Sequence, residues 1–290
     1  MNKDILNNIS NPSVFEENRL PAHSDHRVYA NKSELLRGSS SLCCSLNGVW
    51  KFDYSINLSC TPDGFEALDY DCKNWEDIRV PAHIQMEGYD RPHYANVAYP
   101  WDGRQALKSG EVPTDFNPVG NYVKYFTLPK NFLKDSLILR FEGVESAAAI
   151  WLNGHYIGYC EDSFTPSEFD LTKYVVEGEN KLAIQVTKWC AGSWLEDQDF
   201  FRFSGIFRDI YLYTKPKCHL EDIEIKQVFE KGSFDNVKLN LSIDLNNNAT
   251  VALKLFDAMD LTLKSNEFKV FDEMPVVYES LTNLHSGKNK

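Results

Sequence analysis

Residues 193–208 read SWLEDQDFFRFSGIFR, in which Glu196, Asp197 and Asp199 stand against Phe200, Phe201 and Phe203, with Arg202 and Arg208 set between. Carboxylates accept hydrogen bonds from hydroxyls, take up protons and ligate hard cations. A solvated acidic loop has no need of phenylalanines, and a core strand would not choose so many charges. Other segments share this texture: VPAHIQMEGYDRPHYANVAYP (80–100), NPVGNYVKYF (117–126) and DSFTPSEFDLT (162–172). Aromatic faces beside planar amides and carboxylates suit a sugar ring, whose hydroxyls need several acceptors and donors at once. Asn96, flanked by Tyr94 and Tyr99, and Asp199, beside Phe200 and Phe201, fit that chemistry. The simpler alternative is that the tyrosines pack, Asn96 caps a turn, and Asp197 and Asp199 pair with Arg202 or Arg208. On the residues alone that alternative has the advantage.

Other chemistry is poorly represented. The chain has no GxSxG elbow, HExxH pair, P-loop or GxGxxG. The histidines lack ligand spacing, and His23 and His26 lie in a polar, irregular stretch. Glu168, in TPSEFDLT, has the surroundings of a loop entering a strand rather than of a catalytic carboxylate. The seven cysteines form no CxxC pair, and the N-terminus lacks the apolar core of a secretion leader, so reduced thiols in a cytoplasm are expected. A formal charge of −12 and a pI near 5.1 argue against nucleic acid or an anionic membrane as partner. The longest apolar run, 147–152, is far too short for a span.

The elements that must position these residues are strands. SLILRF (136–141) and KLAIQV (181–186) alternate with period two, as half-buried antiparallel strands do. IWLNGHYI (150–157) sets Asn153-Gly154 between two β-rich runs, which predicts a tight hairpin. GVWKFDY, GNYVKYFTL and IYLYT add three more strands; helical periodicity is scarce, with room for a turn or two near 65–75. The expectation is an all-β chain: a jelly-roll β-sandwich, then a partial immunoglobulin-like β-sandwich. A boundary is expected at Thr214-Lys215-Pro216-Lys217. Beyond it VKLNLSIDL, a turn at Asn246-Asn247-Asn248 and VALKLF read as opening strands of the second sandwich. The closing VYESLTNLHSGKNK offers no convincing strand, so the second domain reads as cut short.

The order SLNGVWKFDY, VPAHIQMEGYDRPHYANVAYP, NPVGNYVKYFTLP, FEGVESAAAIWLNGHYIGYCEDSFTPSEFDLT, GENKLAIQV and WLEDQDFFRFSGIFRDIYLYTKP closely resembles the bacterial β-galactosidases of glycoside hydrolase family 2. The likeness runs from about Asn11 to about Pro216. GIFR alone is shared with β-glucuronidases and β-mannosidases, whereas EDQD and YANVAYP stand closer to the galactosidase branch. The resemblance implies an N-terminal arm (1–45), a jelly-roll sugar-binding domain (46–216) and a truncated immunoglobulin-like domain (217–290). It also implies a TIM barrel outside this chain.

The family's mechanism is retaining: one glutamate protonates the leaving oxygen and a second forms a glycosyl-enzyme. Both glutamates, and the magnesium ligands near one of them, belong to the barrel, so no residue here is assigned a catalytic role. By the same resemblance Asn96 contacts the galactoside substrate, and Asp199 contacts it and ligates a sodium ion. Glu196, Asp197, Arg202 and Arg208 are expected to hold the corner's shape as paired charges. The implied partners are a barrel in cis or in trans and, at full length, further copies in a homo-oligomer. A stand-alone carbohydrate-binding module, a complementing fragment of a split enzyme and a β-glucuronidase remain the alternatives.

Overall fold

The computed structural model describes residues 2–133, 135–196, 199–232, 237–256 and 276–289. The chain forms two units, one of Met1–Ala22 with Cys43–Thr214 and another of His23–Leu42 with Lys215–Lys290.

The first unit is a sandwich. Its strands are β1 (Glu16–Glu17), β2 (Cys43–Ser45), β3 (Gly48–Ser55), β4 (Glu76–Val80), β5 (His93–Ala95), β6 (Val119–Thr127) and β7 (Ser136–Phe141). They continue with β8 (Ala147–Leu152), β9 (His155–Cys160), β10 (Ser167–Asp170), β11 (Glu179–Thr187), β12 (Phe200–Arg202) and β13 (Ile210–Lys215). A seven-stranded sheet in the order β1-β9-β8-β11-β6-β3-β4 faces a four-stranded sheet β10-β7-β13-β2, with β12 and β5 forming a separate ribbon. Trp50, Phe52, Tyr122, Ile150, Ile184 and Val186 of the larger sheet pack with Leu139, Phe141, Phe169 and Leu212 of the smaller. The Asn153-Gly154 turn has positive φ at both residues, 52° and 81°, as a type I′ hairpin requires.

The larger sheet is covered on its outer face as well. There Val119, Val123, Ala149, Trp151 and Tyr159 pack with Phe65, Leu58 and the helix α1 (Asn2–Ile9), through Ile5 and Ile9. Burial on both faces explains why β8 reads AAAIWL without alternation and is buried along its whole length. It also explains a buried lysine in β11. Lys181 satisfies its ammonium on the carbonyls of Ala67, at 2.5 Å, and Tyr70, at 3.1 Å. The helix α1 was not expected: the two isoleucines sit one helical turn apart in an asparagine-rich stretch that reads as an arm. Residues 64–75 form hydrogen-bonded turns instead of helix, among them Tyr70 N to Ala67 O at 3.2 Å.

In the second unit, α2 (Lys32–Arg37) is capped by Asn31, whose side chain accepts from Glu34 N, and ends on Gly38 in the left-handed region. β14 (Leu220–Phe229), β15 (Val237–Leu245) and β18 (Gly287–Asn289) form one antiparallel sheet, and β16 (Ala249–Phe256) pairs with β17 (Val276–Leu284). The closing stretch therefore does hold strands, contrary to the sequence expectation. β17 is defined by its register with β16, from Ala249↔Leu284 to Phe256↔Val276, and such distant pairing leaves little local signature. The fold is all-β, a jelly roll followed by immunoglobulin-like strands. Among the described residues no helix is long and apolar enough to cross a membrane, and all seven cysteines are free.

Candidate functional site

The ribbon of β5 and β12 brings the two sugar candidates together. Its antiparallel register pairs Phe200 with Ala95, Phe201 with Tyr94 and Arg202 with His93. Asp199, just before Phe200, and Asn96, just after Ala95, adjoin this register at the same end of the ribbon. Both are exposed. Tyr94 Oη donates to Asp199 Oδ1 at 2.5 Å, so a phenol from the neighbouring strand fixes the carboxylate. The bond in turn raises the Tyr94 phenol above its ordinary range. Asn96 Oδ1 accepts from Val97 N at 2.7 Å, which orients its amide within its own turn.

Aromatic rings hold this tip in place. Tyr94 lies against Phe201, ring centroids 5.6 Å apart, and Phe201 stacks on Phe203 at 5.8 Å. His83 continues the row, stacked between Phe203 at 4.6 Å and Phe207 at 5.0 Å. After Asn96 the chain turns at Tyr99, whose N–H bonds Asp102 Oδ2 at 2.9 Å, and Tyr99 and Trp101 pack on Trp194. Trp194 Nε1 donates to Glu111 O at 2.7 Å. The phenylalanines of the corner therefore do pack it, as expected.

Asp199 takes a tyrosine rather than the arginine of the simpler alternative. Arg202 donates to the carbonyl of Glu196 at 2.5 Å and lies over the Phe200 ring at 4.6 Å, and Arg208 donates to the carbonyl of Phe164 at 2.7 Å. A guanidinium has five donors in a fixed fork, so it can tie down a loop's carbonyls as readily as a carboxylate. Asp197 lies outside the described residues. Glu168, in β10, bonds Arg140 Nη1 at 3.0 Å and Tyr213 Oη at 2.9 Å, so it is a buried structural acid.

Gly205 explains the glycine of GIFR. It adopts φ +118°, and a Cβ there would stand 3.0 Å from the carbonyl oxygen of Ala82 and 2.9 Å from Tyr122 Oη. Its backbone exchanges hydrogen bonds with Glu145, N–H to O distances being 2.8 and 3.0 Å. Glu145 is buried, and burial pushes its carboxyl up to about 7 although Lys188 and Arg202 pull the other way. Burial, then Glu145, then Glu161, push Glu196 up to about 7 too. Both acids line one small cavity with Trp189, Phe200 and Arg202.

The sign of the pH effect follows from Glu145. Its unperturbed pKa is 4.5, so between about 4.5 and 7 the folded chain holds a proton that the unfolded chain releases. Stability therefore falls as pH rises through that window. Glu145→Gln should stabilise the chain by about 1–3 kcal/mol at pH 8 and by much less at pH 5. Urea denaturation at the two pH values checks this, and an equal effect at both would refute it.

For a cation, the described residues supply little. Among them no group of three or more histidine, cysteine, aspartate or glutamate side chains converges on a metal position. Asp199 offers a hard, exposed carboxylate held by Tyr94, which fits one ligand of a shared site and not a whole site. Sequence reasoning had Tyr94 only as an aromatic beside Asn96; its bond to Asp199 becomes visible only once β5 is known to pair with β12.

Residues 43–216, more than half of the chain, match the family described as "Glycosyl hydrolases family 2, sugar binding domain". Among curated proteins, the β-galactosidase of Halalkalibacterium halodurans is 46% identical over 93% of this chain and 27% of its own length. The β-galactosidase large subunit of Latilactobacillus sakei is 44% identical over 89% of this chain and 43% of its own length. This chain thus spans less than half the length of either relative. Among solved structures, a β-glucuronidase from an uncultured Clostridium species superposes with a TM-score of 0.58 at 20% identity, covering 94% of this chain and 42% of that one. A Bacteroides uniformis β-glucuronidase gives 0.59 at 17%, covering 85% and 26%. At such identities these structures speak to the fold alone. The match reaches across the sandwich and the whole ribbon that carries Asn96 and Asp199, and the chain belongs to glycosyl hydrolase family 2.

Proposed function

We propose that this chain supplies the sugar-contacting N-terminal part of a retaining β-galactosidase acting on terminal β-D-galactosides. The observation that carries the reading is the register of β5 and β12, which brings Asn96 and Asp199 to the same exposed, aromatic-braced end of one ribbon. The names borne by the relatives support galactose as the sugar. Asn96 offers an amide and Asp199 a carboxylate to ring hydroxyls, charge-assisted in the second case. Asp199 would also give one oxygen to a sodium ion, which supplies a fixed positive charge for ordering hydroxyl oxygens. The acid and nucleophile glutamates, with any magnesium site, lie on a barrel supplied in cis or in trans, so this chain by itself hydrolyses nothing. At full length the enzyme works as a cytoplasmic homo-oligomer.

The test is to assay the complete enzyme carrying this chain on nitrophenyl β-galactoside and β-glucuronide. The reading expects a kcat/KM ratio of at least about 100 in favour of galactoside, the order of discrimination that mismatched polar contacts produce. A preference for glucuronide would move the chain to the other branch. Galactose binding and full saturation by the isolated chain would instead favour a stand-alone binding module.

A further inference from the structure

The ribbon that carries the candidate sugar contacts has a tip and a base, and the base is tied by a buried ion pair that no sugar chemistry requires. Lys188 follows β11, and its N–H donates to Pro118 O at 2.9 Å, just ahead of β6. Its ammonium meets Asp90 Oδ2 at 2.5 Å, with the two side chains only 1% and 5% exposed. Asp90 precedes β5 and holds a left-handed backbone, φ 54°. Gln85 Nε2 donates to the same carboxylate oxygen at 3.0 Å and to Ser204 Oγ at 3.0 Å, while its carbonyl accepts from Ser204 N at 3.0 Å. Ser204 lies two residues beyond the end of β12.

This one network therefore grips both strands where they leave the sandwich: β5 through Asp90, and β12 through Gln85 and Ser204. Two backbone bonds add to the second grip, Ile84 N to Ser204 O and Ala82 N to Ile206 O, each 2.9 Å. The ribbon itself is three residues long on each strand, about 10 Å from base to tip at the usual strand rise. A small tilt at the base becomes a displacement of comparable size at Asn96 and Asp199. A dry ion pair is a costly way to hold a sandwich together, since apolar residues of the same volume stabilise as well. What charge and hydrogen bonds add is direction.

We infer that Lys188 and Asp90, with Gln85, are positioning residues that set the attitude of the β5/β12 ribbon and hence of the sugar contacts at its tip. Their role in catalysis rests on the function proposed above; their role as an anchor does not. Lys188 and Asp90 touch no substrate and act only through the ribbon.

The test compares the 290-residue chain with Lys188→Met and with the double variant Lys188→Met/Asp90→Asn, which removes both charges and keeps a residue type that accepts the left-handed backbone. Amide hydrogen exchange is followed in His93–Ala95 and Phe200–Arg202 against β8 and β11. In the double variant the core strands should keep their protection while the ribbon amides exchange at least about 10-fold faster. Wild-type ribbon protection in the double variant, or equal loss in ribbon and core, would overturn the anchor. The same double variant placed in the complete enzyme should lose about 10-fold in kcat/KM for galactoside at a melting temperature close to wild type. Full activity there would overturn the positioning role. Asp199→Asn, assayed alongside, separates the two ideas: a silent Asp199→Asn overturns the sugar assignment even where ribbon exchange behaves as inferred.

Discussion

Replacing Asp199 with alanine in a complete enzyme that carries this chain is expected to lower kcat/KM for β-galactosides about 10- to 100-fold with the fold intact. The size follows from what is removed. A hydrogen bond to a charged acceptor contributes about 1.5–3 kcal/mol, and each 1.36 kcal/mol is a factor of ten in rate. The fold survives because Asp199 is exposed and its described partner is the hydroxyl of Tyr94, itself 53% exposed. Tyr94→Phe serves as a graded companion. It keeps the carboxylate but frees it to rotate, so it should lose less activity than Asp199→Ala. Circular dichroism and thermal melts accompany the kinetics. Unchanged rates on galactosides with Asp199→Ala would remove the residue from the site.

The second large effect concerns stability. Arg140 bonds Glu168 at 3.0 Å and Glu142 at 2.8 Å, with its side chain 6% exposed, while Tyr213 and Tyr211 donate to the same two carboxylates. Arg140→Met leaves Glu168 buried without its guanidinium, and removing one partner of such a pair costs about 3–5 kcal/mol. In a unit of this size that is a fall of roughly 6–20 °C in melting temperature. Calorimetry of the chain measures it directly. A loss below about 1 kcal/mol would show that the tyrosines and relaxation of the smaller sheet can carry the carboxylates alone. Glu168→Gln in a complete enzyme should likewise cost stability and leave kcat unchanged once the enzyme is folded.

The fold was legible where the signal is local. SLILRF and KLAIQV became the strands β7 and β11, but both are buried at nearly every position rather than half-buried as their alternation suggests. Asn153-Gly154 announced the turn between β8 and β9 because few residues accept two positive φ angles. Local signal also misled. Ile5 and Ile9 are too sparse to announce a helix, since what makes them apolar anchors is the outer face of a sheet formed far along the chain. β17 was missed because its definition lies in its register with β16.

The candidate site was legible in its residue types and not in its wiring. Asn96 and Asp199 came from resemblance, while the alternation of residues could not reveal that they adjoin the same end of one ribbon. Tyr94 and Asp199 are 105 positions apart in the chain, and nothing in either segment names the other. Lys188 and Asp90 were invisible for the same reason. A lysine in VTKW reads as a strand end reaching water until both faces around it are found covered. The arginines of the corner show the limit of charge counting: their neighbours in sequence are acids, yet each also ties down a backbone carbonyl, Arg202 that of Glu196 and Arg208 that of Phe164.

The shortest strand of the sandwich has a consequence of its own. β1 is only Glu16–Glu17, laid along β9, with Glu16 opposite Cys160 and Glu17 opposite Tyr159. It approaches so closely that a Cβ on Gly158 would stand 2.5 Å from the carbonyl of Glu17. An open sheet invites another molecule to add a strand to its rim, and a brief, doubly acidic strip is a poor template for that. β1 thus acts as a guard against self-assembly as much as a structural element. A chain shorn of its first residues would present the bare rim of the six-residue β9, an edge open to strand addition by another copy.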